Sequence, residues 1–110
     1  MGKTVYEIRD RNLIIILDGE LDHHEVTKIQ EELQDKMAIC MAKNIWMDFQ
    51  KVQFMDSAGI GLVMGAYKMV AARGGCVYIG NMTERIDRMF RLSGVYRWIE
   101  KISENGGNLL

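Results

Sequence analysis

The chain has 110 residues, of which 48% are hydrophobic and 26% are charged, and its formal net charge is −1. This length is enough for one domain with its own core, so we expect residues 1–110 to form a single domain. The near-neutral charge argues against a direct nucleic-acid partner. The sequence has no apolar run of membrane-spanning length and no signal-peptide core, so we expect a cytoplasmic protein without a membrane partner.

The N-terminal part of the chain predicts a β-hairpin. Thr4–Ile8 alternates between apolar and polar residues like a half-buried strand. Leu13–Leu17 is a short apolar run, typical of a strand that is covered on both faces. The polar residues between these two runs supply a turn, so we expect the hairpin to lie at the edge of a sheet.

Helical periodicity follows in three places. Asp22 begins a capping box that ends at Glu25, and an apolar stripe continues it at helical spacing. A second helix is predicted from the loop that carries Ser57 to about Arg73, and a third over Thr83–Leu92. The stripe of the first helix consists of Val26, Ile29, Leu33 and Met37.

Short apolar runs between and after these helices predict the remaining strands, at Ile45–Phe49, Cys76–Ile79 and Tyr96–Ile99. Strands that alternate with helices form right-handed β-α-β units. The predicted fold class is therefore α/β, with a mixed, largely parallel sheet and helices packed against it.

The two cysteines, Cys40 and Cys76, both lie in apolar contexts. A disulfide is possible in principle, but a cytoplasmic setting argues against it. We expect two buried thiols.

Residues 54–61, which read Phe-Met-Asp-Ser-Ala-Gly-Ile-Gly, form the most informative segment of the chain. Ser57 follows the carboxylate of Asp56 and precedes a predicted helix, so we expect an exposed hydroxyl among the free backbone N–H groups of a first helical turn. Such a serine is a helix cap, an attacking nucleophile or a phosphate acceptor. Because the carboxyl ends of parallel strands meet at one rim, we expect Asp22, Ser57 and Asn81 to lie together there.

The surroundings of Ser57 do not fit a hydrolase or a nucleotide-binding loop. A nucleophile elbow needs glycine two residues before the serine, where Met55 stands, and the two histidines, His23 and His24, precede the serine against the required order. A P-loop needs Lys-Ser or Lys-Thr directly after its last glycine, and Gly65 is not followed by either. We therefore predict no catalytic residue and no cofactor. Helix cap and phosphate acceptor remain, and the residues alone favour the cap.

Two other groups of residues have simple interpretations. His23 and His24 are adjacent and do not share a helix face, and the carboxylates around them fit a solvated loop with a helix cap, so we predict no metal site. The carboxylates concerned are Asp18, Glu20, Asp22 and Glu25. The small residues Gly59, Gly61 and Gly65 would let the second helix lie close to the sheet and let Ser57 approach a partner.

Leu17–His24 and Phe54–Gly61 together resemble the STAS-domain anti-sigma factor antagonists, and Leu21–His24 is similar to the sporulation branch of that family. Further matches at Gly74-Gly75 and Met89–Val95 extend the resemblance over about residues 4–102. The resemblance implies a single STAS domain that is not an enzyme. It also implies that Ser57 is the phosphate acceptor.

The partners implied by the resemblance are an anti-sigma factor that is also a serine kinase and a serine phosphatase that reverses the phosphorylation. The unphosphorylated protein would bind the anti-sigma factor and free a sigma factor, and phosphorylation of Ser57 would end that binding. The resemblance and the predicted rim together place the partner surface at ten residues. They are Asp22, His23, His24, Asp56, Ser57, Ala58, Gly59, Ile60, Asn81 and Met82.

The chain departs from the family pattern in two places. Ala58 stands where relatives commonly have a second serine, which makes Ser57 the unambiguous acceptor. Gly106 and Gly107 lie where the family usually adds another helix, and they argue against that helix.

Alternative functions are a non-switching STAS module, of the stressosome or transporter-regulating kind, and an antagonist for a general stress sigma factor. Nucleotide binding by the domain itself is disfavoured because no phosphate loop is present. We expect a monomer.

Overall fold

The computed structural model of the chain describes residues 3–102, which form five strands, three α-helices and one short 3-10 helix. In chain order the elements are β1 (Val5–Arg9), β2 (Asn12–Leu21), α1 (His23–Ile39), β3 (Asn44–Met55), α2 (Ala58–Ala71), β4 (Val77–Gly80), α3 (Glu84–Ser93), the 3-10 helix (Val95–Arg97) and β5 (Glu100–Lys101).

The strands form one sheet in the order β1-β2-β3-β4-β5. β1 is antiparallel to β2, and every other neighbouring pair is parallel. The predicted mixed, largely parallel sheet and the edge hairpin are therefore confirmed.

The core lies between the helices and one face of the sheet. Alternate residues of β2, β3 and β4 are fully buried there, and the apolar stripe predicted for α1 packs among them. Phe49 of β3 meets Phe90 of α3 edge to face, with ring centroids 5.4 Å apart. On the opposite face, Trp46 stacks on Tyr78 at 4.2 Å, and both side chains are partly exposed.

β2 and β3 are longer than their apolar runs predict, and their second halves pair only with each other. β3 pairs with β4 from Ile45 to Asp48, whereas its pairing with β2 continues to Met55. The β2–β3 register shifts twice in this extension, and Gly19 adopts a φ of 92° there. Bulges break the strict alternation that identifies a strand in the sequence, which explains why the extension was missed.

The strand predicted over Tyr96–Ile99 is wrong. Gly94 ends α3 with a φ of 85°, the chain then forms the 3-10 helix, and β5 follows it. Val95 and Ile99, four residues apart, are both buried, a spacing that fits a helical turn rather than a strand. Residues 104–110, where the final helix was doubted, lie outside the described residues.

The prediction of two buried thiols is wrong for Cys76. This residue lies directly before β4 and is exposed, and its backbone N–H donates to Asn44 Oδ1 at 2.9 Å. Cys40 is half-buried at the C-terminal end of α1, and both thiols are free.

Arg73, just after α2, holds the C-terminal end of α1. Its guanidinium donates to the backbone oxygens of Ala42 at 2.6 Å and Cys40 at 3.2 Å, and to that of Met37. The carbonyls at a helix C-terminus have no partner within the helix, so a guanidinium with several donors is well suited to satisfy them. The side chain therefore joins α1, α2 and the loop before β3.

The glycines at the start of α2 differ in their surroundings. A Cβ at Gly59 would lie 2.2 Å from Sδ of buried Met55, whereas a Cβ at Gly61 or Gly65 would meet nothing within 4 Å. The expectation that small residues allow close packing therefore holds for Gly59 and is wrong for Gly61 and Gly65.

This difference predicts opposite effects on stability. Gly59→Ala should lower the free energy of unfolding by about 1–3 kcal/mol, because Met55 is buried and has to move. Gly61→Ala should raise it by about 0.5–1 kcal/mol, because alanine favours a helix and fits the open space. Urea denaturation of both variants measures the two values. A loss of stability in Gly61→Ala similar to that in Gly59→Ala would contradict this account.

Asp87 of α3 joins that helix to the two elements after it. Its carboxylate accepts from the Tyr96 hydroxyl at 2.5 Å and pairs with Lys101 at 3.1 Å and with Arg91 at 3.0 Å. Burial by itself would raise the pKa of Asp87, but the Tyr96 hydrogen bond and the two cations outweigh burial and lower it. Burial and the same hydrogen bond raise the pKa of Tyr96.

Because the pKa of Asp87 is lower in the folded chain than in the unfolded one, its ionised form stabilises the fold above the unfolded pKa. This stabilisation is lost as the pH falls through the folded pKa. Asp87→Asn should therefore reduce the free energy of unfolding by about 1–3 kcal/mol at pH 7, and the difference from wild type should vanish at low pH.

Chemical denaturation as a function of pH measures this difference. Asp35→Asn is the matched control, since Asp35 is exposed on α1 and has no hydrogen bond or ion pair within residues 3–102. A gap between wild type and Asp87→Asn that stays constant down to low pH would contradict the assignment.

Candidate functional site

Ser57 lies in the short connection between β3 and α2 and is exposed to solvent. Its backbone is already helical, with φ −64° and ψ −16°, and its side chain makes no capping hydrogen bond. The residues alone favoured a serine that caps the helix over a phosphate acceptor. That interpretation is wrong, because the Ser57 side chain does not cap α2. The hydroxyl is presented to solvent at the start of α2.

The side chain of Asp56 makes the capping hydrogen bond instead. Its Oδ1 accepts from the backbone N–H of Ala58 at 2.8 Å, and its backbone oxygen accepts from Gly59 at 3.0 Å. An aspartate that accepts from the N–H two residues later, just before a helix, acts as an N-cap. Ser57 has helical backbone angles and lies directly before Ala58, the first residue of α2.

The same carboxylate also reaches α1. Oδ2 of Asp56 accepts from the backbone N–H of His23 at 3.1 Å, and the Asp56 N–H donates to the oxygen of Leu21 at 3.3 Å. Both carboxylate oxygens are thus used by the N-termini of two different helices. This contact, which the sequence analysis did not predict, connects the Asp22 loop to the Ser57 loop.

The first turn of α2 does not offer the free donors that we expected around Ser57. The N–H of Ala58 is bound by Asp56 Oδ1, that of Gly59 by the Asp56 oxygen, and that of Ile60 by the Ser57 oxygen at 3.1 Å. The expectation failed because the preceding carboxylate and a tight first turn satisfy these groups. What remains at this helix end is the positive end of the helix dipole.

Asp22 is the N-cap of α1, as predicted. Its Oδ1 accepts from the backbone N–H of Glu25 at 2.8 Å, and its side chain is half-buried. His23 and His24 follow in the first turn of α1 with exposed side chains. The hydrogen bond between Asp56 and His23 therefore joins two capped helix N-termini in one rim.

Asn81 and Met82 lie at a different place. β4 ends beside Asp48, well before the end of β3, and the Asn81 side chain donates to Asp48 Oδ1 at 3.1 Å. Asn81 adopts a left-handed φ of 62°. Met82 and Asn81 line a recess of about 550 Å³ with Gln50, Glu84, Asp87, Lys101 and Ile102. The expectation that Asn81 lies at one rim with Asp22 and Ser57 is wrong, because β3 continues to Met55 after its pairing with β4 ends at Asp48.

Phe54 is a surface residue that the sequence analysis did not single out. It is 41% exposed on the β2–β3 extension, opposite Glu20 and close in sequence to Asp56. The apolar residues Val52 and Met55 on either side of it are buried. The spacing of three residues between Val52 and Met55 does not follow the alternation of a strand, so it gives no sequence signal for the extension.

Two further observations concern residues 3–102. That range contains no group of three or more His, Cys, Asp or Glu side chains that could hold a metal ion. None of its helices is long and apolar enough to cross a membrane. The acidic residues that lead into α1 belong to the end of β2 and the cap of the helix.

Comparisons with known proteins agree with this architecture. The model of the STAS domain family matches residues 3–107. An anti-sigma F factor antagonist from Paenibacillus polymyxa is 31% identical over 98 residues, which are 89% of this chain and 83% of the relative. An anti-sigma-B factor antagonist from Bacillus subtilis is 25% identical over 91% of this chain and 90% of the relative.

Solved structures give the same result. The anti-sigma factor antagonist SpoIIAA in its unphosphorylated form is similar with a TM-score of 0.81 at 30% identity, covering 94% of this chain and 90% of that one. SpoIIAA from Bacillus in the phosphorylated form is similar with a TM-score of 0.73 at 30% identity, covering 94% of both chains. The resemblance found in the sequence is confirmed, and the chain belongs to the STAS domain family.

Proposed function

We propose that this protein is an anti-sigma factor antagonist that is switched by phosphorylation of Ser57. In the unphosphorylated form it binds an anti-sigma factor that is also a serine kinase, and a sigma factor is freed. A serine phosphatase restores the binding form. The observation that carries this proposal is the exposed Ser57 hydroxyl, which is free of any capping bond within a domain whose relatives are named antagonists.

The switch follows from charge at the Ser57 rim. A phosphate adds about −1.5 to −2 charges. At about 5 Å from the Asp56 carboxylate, with an effective dielectric constant of about 20, each pair of unit charges repels by roughly 3 kcal/mol. The positive end of the α2 dipole returns only about 0.3–1 kcal/mol, and its first-turn donors are already bound.

The fold and the complex respond differently to this charge. Ser57 is exposed, so water solvates the phosphate in the free protein and the domain stays folded. A partner packed on the rim removes that water, and the cost of desolvating the dianion adds to the repulsion. Phosphorylation therefore releases the partner without unfolding the domain.

The proposed partner surface consists of the rim residues and a second area around the recess. Asp22, His23 and His24 stand beside Asp56 and Ser57 through the contact between the two helix ends. Ala58, Gly59 and Ile60 continue this area along α2, although Gly59 is buried and contributes only by allowing the close packing beneath. Asn81 and Met82 belong to the proposal as residues of the recess.

Exchange of Ser57 tests the switch. Ser57→Asp should weaken binding to a cognate anti-sigma kinase by about 100-fold or more, since a partner on the rim has to desolvate two neighbouring carboxylates and each 1.4 kcal/mol of that cost is about a factor of ten. Ser57→Ala should still bind the kinase and should accept no phosphate. Calorimetric affinities, together with mass spectrometry after incubation with the kinase and ATP, give both results.

Gln34→Asp is the matched control for net charge, because it adds one negative charge at an exposed position in the middle of α1. It should bind like wild type. Equal affinities for wild type and Ser57→Asp would overturn the switch and favour a non-switching STAS module. Kinases paired with sigma F and with sigma B are both used, because relatives named for each are similar to this chain.

Asp22 is proposed to help seat the partner as well as to cap α1. Asp22→Ala should lower the free energy of unfolding by about 1 kcal/mol through loss of the cap, and it should also slow phosphorylation of Ser57. Thr83→Ala is the control, because Thr83 caps α3 by accepting from Ile86 at 3.2 Å. Loss of stability with an unchanged phosphorylation rate in Asp22→Ala would show that Asp22 only caps the helix.

A further inference from the structure

We infer that Asp56 is the residue that positions Ser57 for phosphorylation, by occupying the α2 cap so that the serine hydroxyl stays uncommitted. This inference rests on the proposed function, since it concerns how the same site accepts phosphate. It assigns to Asp56 a role inside the domain, in addition to its place on the rim.

A serine at the start of a helix ordinarily turns its hydroxyl back to accept from an N–H of the first turn. That arrangement uses an oxygen lone pair and points the hydroxyl into the helix. Here Oδ1 of Asp56 holds the N–H of Ala58 at 2.8 Å, and backbone oxygens hold those of Gly59 and Ile60. The donors that a capping Ser57 would use, those of Gly59 and Ile60, are held by backbone oxygens, and its hydroxyl makes no cap bond. The bond from Ala58 to Asp56 supports this turn, in which Ser57 has a helical φ of −64° and ψ of −16° rather than the extended backbone of a capping serine.

The second carboxylate oxygen keeps Asp56 in this orientation. Oδ2 accepts from the His23 N–H at 3.1 Å, so the carboxylate is held between α1 and α2 and has little freedom to rotate. The Ser57 turn is thus fixed relative to the first turn of α1. Both oxygens of Asp56 accept from backbone N–H groups, so the carboxylate supports the turn that carries Ser57.

An uncommitted hydroxyl matters for the transfer itself. When phosphate is transferred from ATP, Ser57 Oγ forms a bond to the γ-phosphorus, the bond from that phosphorus to the oxygen of ADP breaks, and the hydroxyl proton leaves to the kinase or to solvent. An oxygen that is held in a helix cap has first to leave it. Loss of the Asp56 cap should therefore reduce the reactive fraction by about five- to tenfold, the worth of a typical cap bond.

Two conservative substitutions separate the cap from the charge. Asp56→Asn removes the negative charge and retains an oxygen that accepts from the Ala58 N–H, but its amide NH2 cannot accept from His23 as Oδ2 does. Asp56→Glu retains the charge, but its longer side chain does not reproduce the bond to an N–H two residues later. Because one polar side chain replaces another at a half-buried site, both variants are suited to fold, whereas Asp56→Ala removes both helix contacts at once.

The first measurement is the rate of phosphorylation by a cognate anti-sigma kinase with ATP. Asp56→Glu should lower kcat about five- to tenfold, and Asp56→Asn, which keeps the bond from Ala58, should lower kcat less than Asp56→Glu does. KM is measured alongside, because Asp56 also belongs to the proposed partner surface. Thr83→Ala, which loses the cap of another helix, should leave kcat unchanged. A loss in Asp56→Asn with retention in Asp56→Glu would show that the charge acts, and would overturn the inference.

The second measurement needs no kinase. The Hα–Hβ couplings of Ser57, measured by NMR, should be averaged over rotamers in wild type and Asp56→Asn. In Asp56→Glu they should report the single rotamer of a capping serine. Averaged couplings in Asp56→Glu would overturn the positioning role whatever the kinase does. A wild-type protein that takes no phosphate, with the couplings as expected, would overturn the proposed function alone.

Discussion

The arrangement of the candidate site depends on one carboxylate. Asp56 accepts from Ala58 at the start of α2 and from His23 at the start of α1, so a single side chain joins the N-termini of two helices that follow different strands. Two backbone N–H groups that helix formation leaves without partners are satisfied at once. The pairing of β2 with β3 brings the two halves of the rim together, and this side chain joins them.

The opposite ends of the same helices are joined in a comparable way. Arg73 after α2 donates to backbone oxygens at and beyond the end of α1, and buried apolar side chains of both helices fill the core between these points. Helix pairs held at both ends have little freedom to shift. For this reason a phosphate at Ser57 is expected to act through charge and desolvation at the rim.

The extension of β2 and β3 beyond β4 determines which residues share a surface. The sheet is wide from Ile45 to Asp48 and narrows to two strands from there to Met55. Ser57 is therefore carried away from the end of β4, and Asn81 lies beside Asp48 instead. The rule that carboxyl ends of parallel strands meet at one rim assumes strands of equal length, and this sheet does not meet that condition.

Much of the fold follows from local sequence signals, because helix caps and apolar periodicity act over a few residues. The N-cap at Asp22, the buried stripe of α1 and the central strands were predicted by such signals and are confirmed. The structure of the segment from Val95 to Ile99 was predicted wrongly, because its two buried residues fit a short apolar strand as well as a helical turn. Only the left-handed Gly94 and packing on α3 decide between the two structures.

For the site, the sequence by itself determined that a serine follows an aspartate at the start of a helix and that the residues around it do not match a nucleophile elbow or a P-loop. Only the structure decided that the side chain of Asp56, and not that of Ser57, accepts from a first-turn N–H of α2, and that the same carboxylate holds α1. The physical reason is that Asp56 and His23 lie far apart in sequence and meet only when β2 and β3 pair. A hydrogen bond between distant residues leaves no periodic signal in the chain.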